Sequence, residues 1–225
     1  YITVNSFFSN DDFLELDAYI DLLNQARVDG VIVSDMGVIS AFQRRSTIPI
    51  HISTQTSCLN LETARFWRDN GIKRIVLGRE LSLKEIESIK KGTDLELEVF
   101  VHGAMCMSYA GNCLISNYCS KRDSNRGGCA HNCRFEYQYN GLPFYMGSRD
   151  LCGLDYLAEL QNIGVEALKI EGRMKGPGYV GQTTKIYASA LRALGNGDRS
   201  DCSSALFSEF CCGYLEGERS DLLLR

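Results

Sequence analysis

An α/β fold built from βα units is predicted by three features of the chain. Apolar strand-like runs begin near residues 2, 31, 48, 74 and 95, a repeat of roughly 20 to 25 residues. Amphipathic helical segments fill the gaps between them, and one cysteine- and glycine-rich stretch interrupts the rhythm. Parallel strands need a crossover, so this spacing favours a parallel sheet. Six such strands within 225 residues suit a partial or truncated (β/α) TIM-like barrel better than a flat sheet, since a complete barrel takes about 250 residues. A cysteine-rich insertion and a small β-hairpin complete the expected architecture. The chain begins in or just before a strand without an initiating Met, so it is expected to start partway through the domain.

The elements follow in order. Residues 2–5 read as a strand, and Asp11 to Ala26 as a helix with Phe13, Leu16, Ile20 and Leu23 on one face. Val31–Ser34 is a short buried strand and Val38–Phe42 a short helix. Ile48–Ile52 is the next strand, with Pro49 in an initial or exposed position because it lacks an amide hydrogen. Leu59–Asp69 is helical, Arg74–Gly78 a strand, and Leu83–Lys90 a helix begun by Ser82 with Glu85 at the capping-box position. Leu95–Val101 is a strand. Beyond residue 149 the rhythm returns as helix Tyr156–Ile163, strand Glu166–Ile170 and helix Val180–Leu194. Between these halves, residues 103–149 lack clean periodicity and read as loop held by something other than apolar packing. Within it, Arg134–Tyr139 and Leu142–Met146 flank Asn140-Gly141, a strong hairpin signal. The expected division is 1–102 for the first βα units, 103–152 for the cysteine-rich insertion, 153–195 for the closing units and 196–225 for a linker or C-terminal segment.

Composition excludes several classes. With 24 Lys and Arg against 28 Asp and Glu, the net charge is −4, which rules out a generally basic nucleic-acid coat. No apolar run is long enough to span a membrane and the first residues carry no signal-peptide pattern. A soluble, cytoplasmic chain with no membrane partner is expected. Residues 121–149 nevertheless hold five Lys and Arg against one Asp and one Glu. That local +3 gives a structured RNA a patch to be steered by.

Of ten cysteines, five crowd between Cys106 and Cys133, namely Cys106, Cys113, Cys119, Cys129 and Cys133, and Cys152 follows closely. Such a group fits a zinc ion or an iron–sulfur cluster, buried thiols or, less readily in a reducing compartment, disulfides; spacing leaves these open. His51, Ser53 and Gln55 alternate as neighbours on one face of a strand end, and Asn60 follows. His102 directly follows a strand, four residues before Cys106. Lys169, Glu171, Arg173 and Lys175 also alternate, which resembles an anion site with a positioning acid. Tyr179, after a glycine-rich turn, is placed either to stack on a base or to pack in the core. Only His51, His102 and His131 are available as bases, and no HExxH occurs, which excludes a zinc peptidase of that kind.

The segment from Glu98 to Cys106, then SYAGNCLIS (Ser108–Ser116) and RDSNRGGCAHNCR (Arg122–Arg134), resembles the signature region of the collagenase-like peptidase family. HISTQTSCLN (His51–Asn60), SRDLCGL (Ser148–Leu154) and LKIEGRMK (Leu168–Lys175) fit the same pattern. That family includes proteins of tRNA 5-hydroxyuridine, ribosomal RNA cytidine and ubiquinone hydroxylation, and the chain looks nearest to the tRNA branch. It departs from that branch in lacking the family's opening glycine-rich segment and a longer acidic insertion before the hairpin. The resemblance implies a 4Fe-4S cluster on Cys106, Cys113, Cys129 and Cys152. Alternation at strand ends and the local charge give the expected pocket, lined by His51, Gln55, His102, Lys169, Glu171 and Arg173, with Ser53, Asn60, Arg126, Arg134, Lys175 and Tyr179 binding substrate. The family's tRNA branch implies tRNA as partner, a possible partner protein for hydroxylation, and prephenate as co-substrate. Hydroxylation of an RNA pyrimidine at the tRNA wobble position is therefore the leading expectation. A collagenase-like peptidase and a non-catalytic iron–sulfur scaffold are the alternatives.

Overall fold

The computed structural model describes residues 1–147, 149–172 and 174–196. Arg173 and the segment from 197 onward lie outside the described residues. The chain divides into two compact units: Tyr1–Glu98 with Ser108–Cys133, and Val99–Met107 with the chain from Arg134 onward.

In the first unit strands and helices alternate as the spacing predicts: β1 (Ile2–Val4), α1 (Leu16–Ala26), β2 (Val31–Val33), α2 (Met36–Arg45), β3 (Ile50–Ile52), α3 (Leu61–Asp69), β4 (Arg74–Val76) and α4 (Leu83–Gly92). Strand β5 (Glu96–Gly103) begins in this unit and ends in the other. Strands β1 to β5 pair in sequence order and in parallel. Their register lines up Val4, Val33, Ile52, Ile75 and Leu97 in one row, every one buried. Each such side chain contributes roughly 1.5–3 kcal/mol over its exposed state. The adjacent row is Thr3, Ile32, His51, Arg74 and Glu96, and it points to the opposite face. Among the described residues β1 pairs with β2 alone, so the strand pairing is an open order and not a closed barrel.

Local chemistry sets the helix starts. Asp35 accepts from the Val38 amide at 3.0 Å and Asn60 from the Thr63 amide at 2.8 Å. Ser82 and Glu85 form the expected capping box. The Asp35 cap lets α2 begin at Met36, earlier than its apolar residues suggest. Pro49 sits just before β3, where its carbonyl accepts from the Val31 amide at 3.0 Å.

Residues 108–133 contain the short helix α5 (Ile115–Ser120) and several single turns. Buried Asn125 organises them. Its side chain accepts from the Cys113 amide at 3.1 Å and donates to the Cys113 carbonyl at 2.9 Å, while its own carbonyl accepts from the Phe7 amide at 3.2 Å. Arg126 grips both oxygens of Asp12 at 2.7 and 2.8 Å and donates to the Phe7 carbonyl at 2.7 Å. Polar bonds, rather than an apolar core, hold this stretch.

The second unit contains the end of β5, the hairpin β6 (Glu136–Tyr139) and β7 (Leu142–Tyr145), β8 (Leu151–Cys152), α6 (Leu157–Ile163), β9 (Ala167–Ile170) and α7 (Pro177–Gly195). The hairpin turns on Asn140 and Gly141, both at positive φ (52° and 76°), as a two-residue turn of matching twist requires. Strand β8 pairs antiparallel with β5, His102 opposite Cys152, and β9 also pairs with β5. Pro177 opens α7, whose buried face carries Tyr179, Thr183, Tyr187 and Ala190. No described helix is long and apolar enough to cross a membrane.

Candidate functional site

His102 ends up at the heart of the second unit because β5 carries it to the point where β8 and α7 meet. Its side chain is 2% exposed. The rings of Tyr179 and Tyr187 lie 5.9 and 5.5 Å from the imidazole, and Nδ1 is 3.3 Å from the Tyr187 hydroxyl. Burial pushes the His102 pKa down to about 4, with Asp150 opposing the shift and Lys175 adding to it. The imidazole is therefore neutral at pH 7. The Tyr187 hydroxyl donates to the Val101 carbonyl at 2.8 Å and accepts from the Gly153 amide at 3.1 Å. Burial pushes this phenol well above its ordinary range and also raises the Cys152 thiol. The Thr183 hydroxyl, on the same face of α7, is buried without a hydrogen-bond partner.

Asp150 is a buried carboxylate of this unit. Its carboxylate is 6% exposed, with Arg134 at 2.7 Å and Lys175 at 3.5 Å. Neither oxygen has an aligned hydrogen bond, so the contacts are ion pairs. Two cations therefore share one buried carboxylate. Lys175 also lies 5.1 Å from the Tyr179 ring, and Lys169 lies 5.5 Å from that of Phe100. Glu171 is pinned against the end of β5: its amide donates to the His102 carbonyl at 2.8 Å and its carboxylate accepts from the Ala104 amide at 3.3 Å. Gly103, at φ +102°, permits this approach, because a Cβ there would stand 2.3 Å from the Glu171 carbonyl oxygen. Of the residues singled out from sequence, this unit brings together His102, Glu171, Arg134, Lys175 and Tyr179, with Lys169 close along β9. Tyr179 is buried at 7% exposure and packs on His102. Arg173 lies outside the described residues.

The first unit gathers a second polar group. The Gln55 side-chain oxygen accepts from Asn5 at 2.8 Å and from the Ser53 hydroxyl at 3.2 Å, and Asn5 also donates to Ser53 at 3.2 Å. Asn112 donates to the Gln55 carbonyl and to Ser57, both at 3.2 Å. His51 lies within β3, while Ser53 and Gln55 come after its end in a tight turn; the strand neighbours of His51 are Ile32 and Arg74, with Tyr1 edge-on at 4.7 Å. Burial lowers its pKa first and the Arg74 charge second, and its buried Nδ1 has no hydrogen-bond partner. Asn60 is occupied as the cap of α3, and Arg126 in gripping Asp12. Sequence reasoning missed Asp150 and Tyr187. Asp150 stands inside the SRDLC motif, and Tyr187 falls eight residues after Tyr179 on one helix face.

The expected 4Fe-4S cluster requires correction. Among the described residues no three His, Cys, Asp or Glu side chains are grouped so as to hold a metal ion. Cys106, Cys113, Cys129 and Cys152 crowd in sequence, but no metal-holding group of three forms from them among the described residues. Cys113 Sγ takes the Ile115 amide at 3.4 Å, and its backbone is clasped by Asn125. Burial raises the Cys152 thiol, which lies beside the Tyr187 phenol. The donor set does not fit the group, and no step of the chemistry is routed through it.

The first unit is a parallel α/β arrangement, and the second holds a dry, ionisable centre of the kind found in enzyme sites. The family model "Peptidase family U32" matches residues 1–214, and the chain belongs to that family. It is 38% identical over 208 residues to tRNA hydroxylation protein P1 of Bacillus subtilis, covering 86% of this chain and 49% of that protein. It is 41% identical over 211 residues to tRNA hydroxylation protein P of Helicobacter pylori, covering 85% of this chain and 50% of that protein. A collagenase of Porphyromonas gingivalis is 29% identical over 249 residues, covering 97% of this chain and 60% of that protein. The chain spans about half the length of the first two relatives.

Proposed function

We propose that this chain is part of an RNA-modifying enzyme that places a hydroxyl on a pyrimidine, with the uridine at the tRNA wobble position as substrate. The observation that carries this reading is the similarity, over 86% of the chain, to a protein named for tRNA hydroxylation. The second unit supports it with chemistry suited to the task. Arg134 and Lys175, oriented by Asp150, offer charge-assisted bonds to a phosphate, and Lys169 adds a further cation. Neutral His102 offers a ring nitrogen to hydrogen-bond a pyrimidine edge or to take a proton at Nε2. Glu171, fixed to the end of β5, orients the substrate. The parallel run β1 to β5 is, in this reading, an arc of a TIM-like barrel. The peptidase alternative gains less from the geometry, because the Ser53 hydroxyl donates to Gln55 rather than to a histidine.

Nucleoside mass spectrometry of tRNA from a strain deleted for the full-length gene tests the proposal. The 5-hydroxyuridine-derived nucleosides should disappear and return with the wild-type gene. Asp150→Asn should restore about tenfold less, the effect of roughly 1.4 kcal/mol of lost positioning. Unchanged hydroxylation in the deletion strain would refute the assignment.

A further inference from the structure

The surroundings of Tyr187 decide which nitrogen of His102 carries its proton. The Val101 carbonyl, 2.8 Å from the hydroxyl, can only accept; the Gly153 amide, 3.1 Å away, can only donate. The single phenolic hydrogen is therefore committed to Val101, and the oxygen presents lone pairs to Gly153 and to His102 Nδ1 at 3.3 Å. Two lone pairs facing each other at that distance, away from water, would repel, so Nδ1 bears a hydrogen. The Cys152 thiol is also near this phenol, but sulfur is a weak acceptor and does not displace a carbonyl at 2.8 Å.

We propose that Tyr187 is a positioning residue that holds His102 as the Nδ1–H tautomer and keeps the lone pair of Nε2 as its proton-accepting atom. The inference gives the proposed RNA-modifying site a defined base and rests on that reading for its purpose. The tautomer itself is a property of the protein without substrate, so failure of one is distinguishable from failure of the other. Asymmetry of this kind matters because a base with its proton on the wrong nitrogen is oriented correctly yet inert.

The chain contains three histidines, His51, His102 and His131, so nitrogen NMR of the full chain labelled in histidine gives few signals, and a His102→Gln variant assigns the relevant pair. At pH 7 the wild type should show a protonated Nδ1 and an unprotonated Nε2. Tyr187→Phe should shift the tautomer ratio at least about fivefold towards Nε2–H, the effect of one lost hydrogen bond. That variant keeps its backbone satisfied, because the Gly153 amide already donates to the Val101 carbonyl at 2.7 Å. Cys152→Ala should leave the ratio unchanged. A wild-type spectrum with the proton on Nε2 overturns the proposal whether or not any variant folds. So does a Phe variant with the wild-type ratio, or a switch on removing the thiol. A purely structural role for the phenol would lower the melting temperature and leave the ratio alone.

Discussion

Acidification forces a proton onto His102, and the second unit should lose stability in proportion to how strongly its fold resists that proton. An unfolded histidine titrates near 6.5, whereas burial places His102 at about 4. Between these values the unfolded chain binds the proton that the folded chain refuses. The stability this group confers is complete above pH 6.5 and is lost as the pH falls towards 4. The difference of 2.5 units, at about 1.4 kcal/mol each, is on the order of 3 kcal/mol. At 2% exposure little of it is screened by solvent. The groups facing the ring shape the response: Asp150 favours the proton, Lys175 opposes it, and Tyr187 and Cys152, both raised by burial, add no charge in this range. Amide hydrogen exchange along β8 and α7, measured from pH 7 to pH 4, reads the right unit; the lone Trp67 lies in the other and would miss it. The wild type should lose about 3 kcal/mol more protection than His102→Gln over that interval. Acid effects on other carboxylates are common to both proteins and cancel. Parallel losses in the two would refute the reasoning.

Two further substitutions test the packing. Gly103→Ala puts a methyl group 2.3 Å from the Glu171 carbonyl at φ +102°, and should cost roughly 2 kcal/mol or more; an unchanged melting temperature would contradict the close approach. Asn60→Ala removes the 2.8 Å cap on Thr63 and should lower stability by about 1 kcal/mol in a urea titration. If Asn60 served only a substrate, stability would not move.

The fold was legible wherever one physical pattern repeated. Apolar runs spaced by helical crossovers located β2, β3 and β4, and Ser82 with Glu85 announced the start of α4 before any contact was known. Asn140-Gly141 announced the hairpin for the same reason: few dipeptides accept positive φ twice. Strand β8 was not legible, because two residues carry no period and only their pairing with His102 and Gly103 defines them. Asp150 was hidden because a carboxylate that follows Ser148 and Arg149 looks solvated until two cations are found around it. Tyr187 looked like ordinary helix core, and its hydroxyl gains meaning only from Val101, Gly153 and His102 in space. The cysteines misled in the opposite sense. Their density along the chain was plain, but no density of ligands among the described residues accompanies it.

The clasp of Arg126 on Asp12 joins residues 114 apart in the chain. During synthesis at about 10 residues per second, the loop after β1 waits on the order of ten seconds for the side chain that will hold it. Strands β1 to β4 and their helices have left the ribosome by then, and their contacts are mostly with near neighbours in sequence. The polar stretch around Asn125 thus arrives as a latch on a sheet already assembled. A nascent chain stalled before residue 126 would present that sheet with the loop between β1 and α1 still unfastened.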